Sequence, residues 1–326
     1  MTDEQLLLSK YKNCCLCHRR CDTDRTKQTG FCGMPDGLFA ARAALHYWEE
    51  PCISGECGSG TVFFSGCSLR CVFCQNHDIA LGLSGKTLDT GRLAEIFLEL
   101  QEKGAANINL VTPTHYAPSI VAALDRAQSA GLFLPVVYNT GNYETVETLR
   151  MLEGYVDVYL PDFKYWSAEL AKRCCGAPDY AEAAKENIAE MFRQVGAAQF
   201  AAKPFSDRAK FQKTQRNAPT QSESCFMVRG IIVRHLALPG ALSDSKKIIR
   251  YLYETYGNDI YLSIMNQYTP IAKNLAGFPE LNRKLTPKEY DGLIDFAVDL
   301  GVENAFIQEG ETAEESFIPS FCGEGV

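Results

Sequence analysis

No apolar run in the 326 residues approaches the roughly 20 that a membrane-spanning helix requires, so the sequence offers no transmembrane helix. The first ten residues lack the apolar core and cleavage site of a secretory signal, which makes a cytoplasmic location the expectation. Positive charge is also short. The chain has 32 Lys and Arg against 40 Asp and Glu, a formal net charge of -8. That balance disfavours nucleic acid as a partner, because phosphate binding needs concentrated positive charge. Internal repeats and low-complexity tracts are missing, which excludes solenoids and biased linkers. Hydrophobic residues at 46% and charged residues at 22% are ordinary globular values, and the length suits one α/β barrel with an added subdomain.

Cysteine, by contrast, is abundant, with 14 in the chain. A reducing cytosol disfavours stable disulfides, so this number points to metal binding. Their distribution agrees. All but Cys174, Cys175, Cys225 and Cys322 fall in the first quarter of the chain.

After Gly60 short β-branched or aromatic runs alternate with longer amphipathic segments. The strand candidates are residues 61–65, 107–112, 134–139, 156–160, 230–236 and 260–264. Helical segments are expected near 91–103, 118–130, 143–152, 180–195 and 243–256. Apolar strands joined by helices imply a parallel sheet with helices on its outer face. Six such units predict a partial (β/α)6 TIM-like barrel. A last helix over 287–300 and an apolar run at 305–307 could extend or close it. The predicted division is a Cys-rich metal-binding subdomain over 1–60, a barrel over 61–270 and a C-terminal extension over 271–326. Residues 197–224 carry Lys203, Arg208, Lys210, Lys213 and Arg216 without an apolar pattern and read as a long basic loop.

Directly after the first predicted strand stands Gly66-Cys67-Ser68-Leu69-Arg70-Cys71-Val72-Phe73-Cys74, with three thiols at C-x3-C-x2-C spacing. Thiolates this close can wrap three irons of a [4Fe-4S] cubane and leave the fourth open. An open metal position is what catalysis needs, and S-adenosylmethionine (SAM) can take it through its amine and carboxylate. The structural alternative is a zinc knuckle or buried free cysteines.

The loop matches the CxxxCxΦC motif of the radical SAM superfamily. Further stretches, among them NINLVTPTHY, VVYNTGNYE, VDVYLPDFKY, IIVRHLALPG and MNQYTP, resemble homologues of pyruvate formate-lyase activating enzyme over nearly all of residues 13–326. The resemblance implies reductive cleavage of SAM at the cluster and hydrogen abstraction by the 5'-deoxyadenosyl radical. It places Phe73 beside the adenine. Thr112-Pro113-Thr114-His115 stands where many relatives carry Gly-Gly-Glu, which assigns Thr114 and His115 to the methionine amine. Asn139, Thr140, Asp162 and Lys164 fall where the SAM carboxylate region and a monovalent cation lie, although Asn139 replaces an Asp of the activating enzymes. Arg234 matches an arginine that contacts SAM. The substrate is open between a glycine in a partner protein, a peptide and a small molecule, with flavodoxin or ferredoxin as reductant. A non-catalytic metal-binding adaptor is the reading from another class.

Cys14, Cys17, Cys21 and Cys32 supply four more thiols at C-x2-C-x3-C-x10-C spacing, fitting either structural zinc or an auxiliary iron-sulfur cluster. His18 is a substitute ligand there, and Cys52 and Cys57 candidate additions. Cys174, Cys175, Cys225 and Cys322 lack partners at ligand spacing.

Overall fold

The alternation read from the sequence becomes one open sheet. The computed structural model describes residues 3–202, 225–271, 275–308, 319 and 321–326. Its strands are β1 (Leu38–His46), β2 (Ser59–Phe64), β3 (Lys86–Leu88), β4 (Ile108–Val111), β5 (Val136–Thr140), β6 (Val158–Pro161), β7 (Gln199–Ala201), β8 (Phe226–Leu236), β9 (Tyr261–Met265) and β10 (Ala305–Ile307). The order is β10-β9-β8-β6-β5-β4-β2-β1-β3, with β7 paired antiparallel to β8 off that path. From β2 to β10 neighbours run parallel, while β1 lies antiparallel on β2 and β3 antiparallel on β1. The path does not return on itself, so the sheet is a partial barrel.

All six expected parallel strands form, and the run at 305–307 extends the sheet as β10, with Ala305 opposite Leu262. The helices obey the spacing that predicted them. Thr90–Glu102 starts at Asp89, whose carboxylate accepts from the Arg92 N–H at 2.7 Å, and it buries Leu93, Ile96, Phe97 and Leu100 toward the sheet. Pro287–Leu300 opens with a reciprocal Thr286–Glu289 capping box and closes at Gly301 in the left-handed region.

Among the elements that escape the sequence pattern, β1 and one helix bear on the site. β1 lies within the segment expected to be organised by metal alone. Ala40, Ala41, Ala43 and Ala44 have weak strand propensity, and only pairing with β2 fixes them as a strand. The helix Ala168–Cys175 is too short for its periodicity to stand out.

The C-terminal residues lie along β1. Gly323 N–H donates to the Ala41 carbonyl, Ala43 N–H donates to the Glu324 carbonyl, and Arg42 pairs with Glu324 at 2.9 Å. Of the basic loop, residues 197–202 are described and include β7, whereas its residues 203–224 lie outside the described residues.

Between β1 and β2 the chain turns into the half-barrel and plugs it. Cys52 and Ile53, on the short helix Pro51–Ser54, pack with Val137, Val158, Leu160, Ile232 and Tyr261 from four strands. Asn107 Nδ2 on the loop before β4 donates to the Ile53 carbonyl at 2.7 Å. Cys52 therefore belongs to this apolar floor, and Cys57 is exposed.

Candidate active site

Above the floor, at the C-terminal ends of the strands, lies a cavity of about 720 Å³. Parallel barrels place their ligands at this end. The thiols of Cys67, Cys71 and Cys74 line it together with Phe73, Asn139, Thr140, Asp162, Lys164 and Arg234. Register explains the grouping. Parallel pairing sets Val111 beside Asn139, and Asp162, Arg234 and Ser263 side by side two residues further along.

The cysteine loop is held from several sides. Gly66 has φ 89°, and a Cβ there would collide with the Met34 side chain. Only glycine serves at that point. The Leu69 N–H donates to the Cys67 sulfur at 3.4 Å, and the Tyr165 hydroxyl donates to the Cys71 sulfur at 3.1 Å. Cys71 is pulled below its ordinary value, first by a hydrogen bond from Cys175 and then by Lys164 and Tyr165. Burial pushes Cys67 and Cys74 up. Hydrogen-bond donors aimed at sulfur, with a lysine nearby, suit thiolate ligands.

Lys164 Nζ pairs with Asp162 at 2.5 Å. Burial works against its charge, but Asp162 and the neighbouring sulfurs outweigh it and raise its pKa. Phe73 is buried and meets Tyr165 and Tyr268 edge to face at 6.2 and 5.8 Å. Gln267 reaches the cavity, whereas Tyr268 donates its hydroxyl to the Leu281 carbonyl at 2.7 Å.

Arg234 is clasped by two carboxylates that the sequence reading did not single out. Its Nε and Nη2 donate to Glu50 at 2.8 and 2.6 Å, and Nη2 also meets Glu49. Glu49 accepts a further bond from Asn109 Nδ2 at 2.9 Å. Burial raises the Glu50 pKa, but the Arg234 charge prevails and the net shift is downward. Adjacent acids between Trp48 and Pro51 were the available signal.

Thr114 and His115, which the resemblance assigned to the methionine amine of SAM, are buried and do not line the cavity. Thr114 donates to the buried Glu144 at 2.5 Å, and His115 Nε2 bonds the Ser65 carbonyl at 2.7 Å. Thr112 takes the cavity position instead. Its φ of 58° puts a β-branched residue in the left-handed region, a strain of about 1–3 kcal/mol of the kind that collects at functional sites. Thr140 lines the cavity while its hydroxyl is turned to Glu144. Cys175, which has no partner at ligand spacing in the sequence, hydrogen-bonds the Cys71 thiol.

Cys14, Cys17, Cys21 and Cys32 lie outside this cavity and near one another. Among the described residues no three His, Cys, Asp or Glu side chains stand at ion-binding distance from one point, and no helix is long and apolar enough to cross a membrane.

Residues 61–196 match the Radical SAM superfamily. An uncharacterized protein of Methanocaldococcus jannaschii is 29% identical over 297 residues, covering 88% of this chain and 75% of its own. Among solved structures, Streptococcus suis SuiB is similar with a TM-score of 0.47 and 12% identity, over 77% of this chain and 48% of SuiB. SuiB bound to S-adenosylmethionine gives 0.46 and 13%, over 75% and 45%. The chain spans about half the length of these solved structures. The match over residues 61–196 is to a family whose enzymes carry a [4Fe-4S] cluster and SAM.

Proposed function

We propose that this chain is a radical SAM enzyme in which Cys67, Cys71 and Cys74 hold the [4Fe-4S] cluster and the rest of the cavity takes SAM and the reacting part of a substrate. The observation that carries this reading is the convergence of those three thiols with Asp162, Lys164 and Arg234 on one cavity. When bound, a cluster of this kind with SAM supplies one-electron cleavage of the sulfonium and hydrogen abstraction by the 5'-deoxyadenosyl radical.

The protein's own groups position and shield. Lys164, fixed by Asp162, offers a point charge to a carboxylate. Because that ammonium already sits on Asp162, a monovalent cation would share one carboxylate and the Asn139 amide. Phe73 presents an apolar face to an adenine, backed by Tyr165 and Tyr268, and this aromatic wall excludes water. Thr112 and Thr140 are the threonines that meet the cavity, with Thr114 and His115 supporting the wall.

In the activating reading, hydrogen is abstracted from a glycine Cα of a partner protein, with flavodoxin or ferredoxin as reductant. The charged floor favours a second reading, a peptide or small molecule reaching inward, because Glu49 and Glu50 line the cavity beside Arg234. The test is anaerobic incubation of reconstituted protein with dithionite and SAM, expected to yield 5'-deoxyadenosine and methionine. Iron-loaded protein forming neither would overturn the proposal. Deuterium transfer into 5'-deoxyadenosine from a labelled glycine of a partner supports the activating reading. Transfer from a labelled peptide side chain or small molecule supports the second.

A further inference from the structure

The N-terminal cysteines form a second sulfur site with its own architecture. Residues 14–23 fold back on themselves: Cys14 N–H donates to the Thr23 carbonyl, Asp22 N–H to the Cys14 carbonyl, and Arg20 N–H to the Cys17 carbonyl at 2.9 Å. Arg20 and Asp22 both take left-handed φ values, 41° and 49°, a strain that persists only where surroundings demand it. Cys32 arrives from a separate turn closed by Gly33 N–H to the Gly30 carbonyl. A Cβ built on Gly30 would lie 3.7 Å from both the Cys21 and the Cys32 sulfur, so the two thiols flank one point. Cys14, Cys21 and Cys32 all act electrostatically on Cys17.

Three of these sulfurs have an N–H aimed at them. The Arg19 backbone donates to Cys17, Phe31 N–H to Cys21 at 3.4 Å, and the buried Arg25 Nη1 to Cys14 at 3.8 Å. N–H donors of this kind commonly support metal-bound cysteine sulfur, so the donor set suits a metal site. Four thiolates gathered on one point would need a cation to balance them. None of the four lines the cavity, so the set has no need of an open coordination position, and closed four-thiolate sites are what structural zinc prefers.

Arg19 lies between Cys17 and Cys21 in the chain, and its guanidinium stacks over Phe31 at 4.0 Å. Its Nε donates to the carbonyl of Ser68, inside the Cys67–Cys71 interval, at 2.9 Å. Its Nη1 and Nη2 donate to the Gly176 and Cys175 carbonyls at 2.6 and 2.5 Å. One guanidinium thus ties the cysteine loop to the helix whose Cys175 meets Cys71 and whose Cys174 carbonyl accepts from Val72 N–H at 3.0 Å.

We propose that Cys14, Cys17, Cys21 and Cys32 bind one zinc ion as thiolates, releasing their protons, and that this site holds Arg19 as a clasp on the Cys67–Cys74 loop. Binding draws the four sulfurs inward to the common ion. The zinc site is independent of the cluster, whereas the clasp rests on the cluster reading above.

The experiment uses the full chain, purified anaerobically as wild type, Cys71→Ala, Cys17→Ser and Arg19→Ala, with zinc and iron counted and cluster absorbance followed under a chelator. One zinc is expected in wild type, Cys71→Ala and Arg19→Ala, and none in Cys17→Ser. Cluster bleaching should be roughly tenfold faster in Arg19→Ala, as for other groups that support metal ligands. Should Cys17→Ser not fold, cobalt exchanged into Cys71→Ala should give thiolate-to-cobalt absorption. A wild type without zinc, cobalt without thiolate bands, or iron that Cys17→Ser removes while Cys71→Ala retains it would each overturn the zinc site. Equal bleaching in Arg19→Ala and wild type would overturn the clasp. Zinc present in a wild type that takes up no iron would overturn the cluster reading and the clasp, and leave the zinc site standing.

Discussion

The Tyr165 hydroxyl donates to the Cys71 sulfur at 3.1 Å, joining residues 94 positions apart. Tyr165 is fully buried against Tyr180, with ring centroids 5.3 Å apart. A hydrogen bond to a cluster thiolate stabilises the extra electron of the reduced state. Tyr165→Phe keeps the ring and removes the donor, so the reduction potential of the reconstituted cluster should fall. A potentiometric titration followed by electron paramagnetic resonance would show it, and a potential equal to wild type would contradict the role.

Arg234 neutralises Glu49 and Glu50 on the cavity floor. Breaking a buried pair by removing one partner leaves uncompensated charge and costs about 3–5 kcal/mol. Arg234→Met should lose stability on that scale in urea unfolding. Adding Glu49→Gln and Glu50→Gln to it should recover most of the loss, because the stranded charges go with them. A triple variant as unstable as Arg234→Met would refute this account.

His115 gives the protein an acid limit. Burial first, and then the Arg25 charge, depress its pKa to about 3. An unfolded histidine titrates near about 6.5, so below that pH the unfolded chain binds the extra proton. The stability from neutral His115 is complete above pH 6.5 and drains as pH falls toward 3, reaching a loss of about 2 kcal/mol at pH 5. The Cys71→Ala protein is suited to the measurement because no cluster is lost with acid. Its urea midpoint should drop between pH 8 and pH 5 by more than that of Cys71→Ala with His115→Gln added.

Lys164 sits on Asp162 at the cavity wall and beside the cysteine sulfurs. A charge-assisted hydrogen bond to a ligand carboxylate is worth about 1.5–3 kcal/mol, so Lys164→Met should weaken SAM binding roughly 10- to 100-fold. Calorimetry on cluster-loaded protein measures this directly. Unchanged affinity would move Lys164 from the ligand to a purely structural pairing with Asp162.

The local code was strong where chemistry or periodicity repeats. Cys67, Cys71 and Cys74 announce themselves by spacing, and the six parallel strands and the helix Pro287–Leu300 by pattern and caps. β1 was hidden because its alanines have no strand signature, and Glu49 and Glu50 meet Arg234 only because the segment carrying them plugs the half-barrel. Thr114 and His115 were assigned by analogy to a motif this chain lacks. The left-handed turn at Thr112 carries their side chains past the cavity and into contact with Glu144 and Ser65.

The sequence by itself determined the cysteine triplet, the βα order and the cluster of N-terminal thiols, since each depends on residues close in the chain. Tertiary structure alone decided which distant groups meet them: Tyr165 and Cys175 on Cys71, Arg19 on Ser68, and two carboxylates on Arg234. Such meetings are set by strand register and by the packing of loops across the open end of the barrel, which no short window of sequence encodes.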